Sequence, residues 1–195
     1  MKRIPGWALA SSAAAPLILG GGLAIAQALQ PAGYDPIRDT ISALAAHGAT
    51  DRWVMTSALA GLGVCHVITA AGLRPARSTG RIILAAGGVA TVMVAAFPQP
   101  AHGNSVAHTI AATIAFVALG AWPVLAAQSR SRAPLLRRST AIPATMGMLG
   151  LVAWFAIEVH GGQRGLSERA AAGAQALWPL AVVVSTRRFA SRIWS

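Results

Sequence analysis

Apolar residues run along this chain in long blocks, with the polar residues gathered between them. The blocks fall at roughly residues 7–29, 53–73, 82–98, 105–127, 141–160 and 170–186. An α-helix needs about 20 residues to cross a hydrocarbon core, and each block comes close to that length. None alternates with the two-residue period of a barrel strand. A spanning helix satisfies its own backbone in lipid, which an open sheet does not. The pattern predicts an all-α polytopic transmembrane helical bundle of six helices, in a single integral membrane domain over 1–195. The third and sixth blocks are the shortest.

Composition supports a bilayer as the solvent. Hydrophobic residues make up 55% of the 195 and charged residues 11%, against about 25% charged in an average soluble domain. A net charge of +11 would point to nucleic acid in a soluble protein. Here the arginines lie between apolar blocks, with no RNA-binding aromatic motif and no continuous basic helix, so nucleic acid is not an expected partner. Lys2 and Arg3 precede the first block. Arg74, Arg77 and Arg81 follow the second, Arg130, Arg132, Arg137 and Arg138 the fourth, and Arg187, Arg188 and Arg192 the sixth. That puts 12 of the 16 basic residues on one side, which the positive-inside rule makes cytoplasmic. The expectation is a multi-pass protein of the cell membrane with both termini in the cytoplasm (N-in/C-in). Ala26-Gln27-Ala28 resembles a signal-peptidase site, but the apolar run before it exceeds the usual length of about 7–15 residues, so an uncleaved helix is expected. The single cysteine, Cys65, lies inside a block and reads as core. Nothing in the pattern sets the oligomeric state.

Small residues recur within the blocks, as Gly20 to Gly22, Ser57 with Gly61, Gly87 with Gly88, and Gly147 with Gly150. They predict close helix packing. No long internal repeat supports a transporter built from paired halves.

The acids and histidines are distributed the other way. Asp35, Asp39, Asp51, Glu158 and Glu168 all fall on or near the outer face, with His47, His102, His108 and His160. In the first outer loop Asp35 reads as an N-cap with Pro36 at the first helical position. Ile37, Ile41 and Leu44 then share one face, Arg38, Asp39 and Ser42 fall to the other, and His47-Gly48 reads as the end. A short outer amphipathic helix is expected there. In the second outer loop Ser105 or Asn104 caps the next span, leaving His108 about one turn inside it. An ionisable side chain at that depth should face the bundle interior or a wet cavity. Glu158 sits at the end of span five, within reach of Arg38, Arg164 or His108. Ser167-Glu168-Arg169 reads as a cap and a dipole-complementing acid at the start of span six.

An outward-facing polar pocket would therefore draw on Tyr34, Asp35, Arg38, Asp39 and Ser42, joined by His102, His108, Glu158 and Arg164. Asp39, His108 and Glu158 are the candidate acid–base groups. With His102 they are also the candidate ligands of a divalent metal, although the six-residue spacing of the two histidines is not a strong ligand motif. Haem is set aside by depth. His66 is 13 residues beyond Trp53, about 20 Å down its helix, and His108 only about 5 Å down its own.

Tyr34-Asp35-Pro36-Ile37-Arg38-Asp39-Thr40-Ile41-Ser42, then Phe97-Pro98 with His102 and His108, then Gly165-Leu166-Ser167-Glu168-Arg169 leading to Trp178, come in order over nearly the whole chain. In this the chain resembles the bacterial multi-pass membrane proteins of domain-of-unknown-function family 998. That family often carries an acidic residue after the Phe-Pro pair. Gln99-Pro100 stands there instead, so the resemblance supplies no carboxylate to this loop. It implies a multi-helix membrane fold and no established activity. Two classes of function remain. One is a non-catalytic protein that binds a lipid headgroup or small molecule, or serves as a membrane assembly component. The other is a membrane-embedded, metal-assisted hydrolase acting on lipid or envelope substrates at the outer leaflet, with Arg38 holding an anionic group.

Overall fold

The computed structural model describes residues 3–129, 131 and 133–191, so Lys2, Arg130, Arg132 and Arg192 lie outside the described residues. The described chain is helical, with no strand among the described residues. Its α-helices are α1 (Gly6–Ala28), α2 (Ile41–Leu44), α3 (Trp53–Gly72), α4 (Ser78–Ala96), α5 (Val106–Ala126), α6 (Arg138–Glu158) and α7 (Arg164–Ser191), with a 3₁₀ turn at Pro134–Leu136. Five of them, α1, α3, α4, α5 and α6, are long and apolar enough to cross a membrane. The protein is a multi-pass integral membrane protein. The sixth expected span lies inside α7, which is not one of the five. Glu168, Arg169, Gln175 and Arg187 interrupt its apolar run.

The six long helices pack in a closed ring, in the order α1–α3–α4–α5–α6–α7, with α7 returning to α1. Helix α7 also touches α3 and α5, and its Ser167, Glu168, Gln175 and Thr186 are buried. Helix α6 buries only Ala141, Thr145 and Met148 and sits at the edge. Glycine lets α3 and α4 meet backbone to backbone, since a methyl group on Gly63 would collide with the Gly88 carbonyl. The Gly147 and Gly150 face of α6, by contrast, has nothing against it within 4 Å.

Two apolar cores lie toward opposite ends. One gathers Leu73, Leu84, Trp122, Leu136 and Val182. Arg81 sits at that end, giving Nε and Nη2 hydrogen bonds to the last carbonyls of α3, Ala70 and Ala71 (2.8 and 2.9 Å). The other core gathers Leu19, Met55, Leu59, Leu62 and Val94, with Ile41 and Leu44 of α2 plugged into it. Full burial of such side chains contributes about 1.5–3 kcal/mol each, which anchors α2 although it is only four residues long.

The loop before α2 corrects the expected helix. Asp35 caps only a single turn, its carbonyl accepting the Arg38 and Asp39 N–H groups (3.0 and 2.6 Å). Its Oδ1 accepts the Ile37 N–H (2.9 Å), while Asp39 Oδ2 reaches back to the Asp35 N–H (2.9 Å). The two carboxylates close residues 35–39 into a turn. The helix restarts only at Ile41, capped by Thr40 Oγ1, which accepts the Ala43 N–H (3.0 Å). Residues 34–44 form a strap across this end of the ring, with Ile41 and Leu44 inward and Ile37 about half exposed at 49%.

Candidate functional site

The strap is stitched to the first turns of α7. Ile37 O accepts the Leu166 N–H (3.0 Å), and Arg38 O accepts from Arg164 Nε (2.7 Å). Asp39 O accepts from Arg169 Nη1 (2.6 Å), which also reaches Gly165 O (2.9 Å). Arg169 Nη2 donates to the Tyr34 hydroxyl. With its amide oxygen turned toward Arg169, Gln27 at the end of α1 accepts from Nη2 and Nε at 3.2 Å each. One guanidinium thus ties α1, the strap and α7 together, using the planar fork that arginine alone offers. Burial raises the Tyr34 phenol above its ordinary value, and the neighbouring Arg169 opposes the rise.

Beneath the strap, Glu168 is almost fully buried at 3% exposure. Its Oε2 accepts the Ile41 N–H in a short bond, and its Oε1 accepts from Ser42 Oγ (3.1 Å). Burial pushes this carboxyl, which precedes the apolar stretch of α7, up to about 7, against the opposing bonds from Ile41 and Ser42 and the charge of Arg169. Ser42 Oγ also lies 3.2 Å from His108 Nε2, and His108 Nδ1 lies 2.9 Å from Phe97 O at the end of α4. Gln99 holds the connecting loop in place: its Oε1 accepts the Ser105 N–H (2.9 Å), and its carbonyl accepts the His47 N–H (2.9 Å).

Ser42 and Glu168 roof a cavity of about 50 Å³ at the centre of the ring, walled by α1, α3, α4, α5 and α7. That is room for a few waters. Its walls are mainly aliphatic, with Thr91, Gln175 and His66 as the deeper polar groups. Thr91 bonds Gly87 O (2.8 Å) and Gln175 Nε2 bonds Phe116 O (2.9 Å). His66 is buried at 1% exposure; the backbone of Gln175 on α7 is the one hydrogen-bonding group that bears on its ring, and neither nitrogen completes a bond of full geometry. A buried polar group left unpaired costs about 1–3 kcal/mol.

The residues expected to form one site divide into separate groups. Ser42 and His108 meet at the roof. Tyr34, Asp35 and Asp39 build the strap; Arg164 stands 3.9 Å from Asp39, and Arg38 forms an exposed pair with Asp35 at 3.6 Å. His102 is exposed on its loop. Glu158 pairs with none of Arg38, Arg164 and His108; its Oε2 accepts the Gln163 N–H (3.0 Å) ahead of α7. Among the described residues, no three His, Cys, Asp or Glu side chains are grouped to hold a metal ion. Ser167 caps nothing: its hydroxyl bonds Gln163 O and Arg164 O within a helix that starts earlier than expected. Glu168, Arg169 and His66 are the residues sequence reasoning missed. The start of α7 at Arg164 would have revealed the first two as interior.

The arrangement is poor for acyl transfer. The carboxyl bonds the serine rather than the imidazole, and the neighbouring N–H groups of Ile41 and Ala43 are already taken by Glu168 and Thr40, leaving neither to stabilise an oxyanion.

No curated protein and no solved structure matches the chain. One family model does, over residues 12–185, a stretch that includes the strap, the Phe97-Pro98 turn and the start of α7. The chain belongs to the family described as "Protein of unknown function (DUF998)".

Proposed function

We propose that this is a six-span protein of the cell membrane with cytoplasmic termini, whose central cavity binds a small hydrogen-bonding molecule admitted from the outer side beneath the strap. The carrying observation is the His66 imidazole on the wall of a cavity roofed by Ser42 and Glu168: the backbone of Gln175 can serve only one of its two nitrogens, which leaves the other without a partner. Such a wall is satisfied when a ligand or water supplies the missing partner. Helix α7 serves as the sixth span. Its 28 residues extend about 42 Å, beyond the hydrocarbon thickness of about 30 Å, and it packs between α1 and α6. The placement of 12 of 16 basic residues supports the orientation.

The binding reading is tested by a thermal-shift screen of the detergent-purified protein against small amides, alcohols, amines and carboxylic acids. At least one class is expected to raise the unfolding temperature of the wild type and not of His66→Leu; saturation at about 100 times Kd contributes about 2.7 kcal/mol. Equal responses of the two proteins to every class would overturn it. Orientation is checked on intact cells with a membrane-impermeant maleimide. Ala101→Cys is expected to label and Ser129→Cys not to, against the low background of buried Cys65. The reverse pattern would invert the topology.

A further inference from the structure

The single hydroxyl hydrogen of Ser42 restricts the chemistry at the roof of the cavity. Phe97 O can only accept, so His108 Nδ1 carries a hydrogen. In a neutral imidazole the other nitrogen is then a bare acceptor, and it faces Ser42 Oγ at 3.2 Å. The same hydroxyl faces Glu168 Oε1 at 3.1 Å. A serine hydroxyl owns one hydrogen. With Glu168 ionised and His108 neutral, two buried acceptors compete for it and one is left unmatched.

One added proton completes both contacts, in either of two ways. In the first, the Glu168 carboxylic acid donates to Ser42 Oγ, and Ser42 donates to His108 Nε2. In the second, the His108 imidazolium donates to Ser42 Oγ, and Ser42 donates to the Glu168 carboxylate. They interconvert when the Glu168 O–H and Ser42 O–H bonds break as a new Ser42 O–H and a His108 N–H form. Two protons shift by one place, one unit of positive charge moves from Glu168 to His108, and no co-reactant is needed.

We propose that Glu168, Ser42 and His108 are a one-proton relay joining the rim of the bundle to the central cavity, whose water passes the proton on to His66. The His108 end lies in the first turn of α5, directly after the exposed loop 101–104 in the chain. At the cavity end, Glu168 and His66 line the same space, which has room for a few waters. The charged and titratable groups facing Glu168 are few. Arg169 lies beside it on α7, Tyr34 and Asp39 on the strap, His108 on α5 and His66 on α3. Helix α1 has no ionisable residue, α4 has only Arg81 at its far end, and α6 does not line the cavity. The relay rests on the cavity reading and needs only water in the stretch of cavity between Glu168 and His66.

The test is a pH titration of the full-length protein, following the carboxylic-acid carbonyl band by infrared spectroscopy and ¹⁵N-histidine signals by NMR. In the wild type, loss of the carboxylic-acid band is expected to coincide with a change at His108 Nε2. Glu168→Gln should remove the band and shift the His108 titration. Ser42→Ala should uncouple the two signals, and Ser42→Thr, which keeps the hydroxyl, should restore the coupling. The proposal is overturned if Ser42→Ala retains the coupling, or if His108 titrates identically with and without Glu168. It is equally overturned if Ser42→Thr folds as the wild type does and stays uncoupled. These readouts are independent of the ligand screen, so failure of the screen and failure of the relay are distinguishable.

Discussion

Gly165→Ala is expected to lift the strap off α7 and to destabilise the protein by about 1–3 kcal/mol, the range of overpacking in a packed site. A methyl group on Gly165 would meet the carbonyl oxygens of Asp39 and Pro36. Both are backbone atoms with no rotamer to yield. The Asp39 oxygen is further pinned by Arg169 Nη1 at 2.6 Å, and residues 35–39 are closed by their own two carboxylates. Relief requires moving the whole turn, which loses the Ile37–Leu166 and Arg38–Arg164 bonds and loosens the lid over Glu168. Gly173→Ala in the same helix is the control. Nothing lies within 4 Å of a methyl group there, so the gain in helix propensity should stabilise by up to about 1 kcal/mol. Thermal unfolding in detergent reads both, and limited proteolysis at Arg38 reports release of the strap. Equal shifts of the two variants in the same direction would refute the close-approach account.

The contrast between those two glycines shows what is legible along the chain. Apolar length is a local property, so the bounds of α1, α3, α4, α5 and α6 are close to the expected blocks, as with Trp53–Gly72 against 53–73. What joins the strap to α7 is not local. Glu168 meets Ile41 and Ser42 across 127 and 126 positions, and most of the other contacts involve backbone carbonyls that no side-chain pattern records. The visible trace is the ordered pairing of the Tyr34–Ser42 and Gly165–Arg169 segments, which the family resemblance registers without explaining. Asp35 makes the bond of a helix cap, but the same short carboxylate suits an isolated turn as well as a longer helix. Only the position of the Asp39 carboxylate, folded back on the Asp35 N–H, decides between them. Glu168 reads as a dipole-complementing surface acid if the helix begins near 170. Beginning it at Arg164 turns the same residue inward. His66 was too deep to pair with His108 on a haem, and that depth is what brings it to the inner wall of the cavity.

Stability of the wild type is expected to fall as pH rises from about 5 to about 8, by at most about 3 kcal/mol, and Glu168→Gln is expected to abolish the fall. Folding raises the Glu168 carboxyl from its ordinary 4.5 to about 7, chiefly by burial. Below its unfolded value the acid is neutral in both states, and its folded environment carries no ionisation cost. Between the two values the unfolded chain has released the proton and the folded one retains it, so each step up in pH favours unfolding. Above about 7 the folded protein holds a buried carboxylate, and the penalty levels off. Glutamine reproduces the protonated form. Its carbonyl can accept the Ile41 N–H, and its amide can donate to Ser42 Oγ as the carboxylic acid would. Glu168→Gln should therefore match the wild type near pH 5 and exceed it near pH 8, so removing a buried ionisable group stabilises the protein only on the alkaline side. Thermal unfolding in one detergent across that range checks both curves. Parallel decline of the variant and the wild type would place the titrating group elsewhere, and a wild-type curve that rises with pH would contradict a neutral Glu168 in the folded protein.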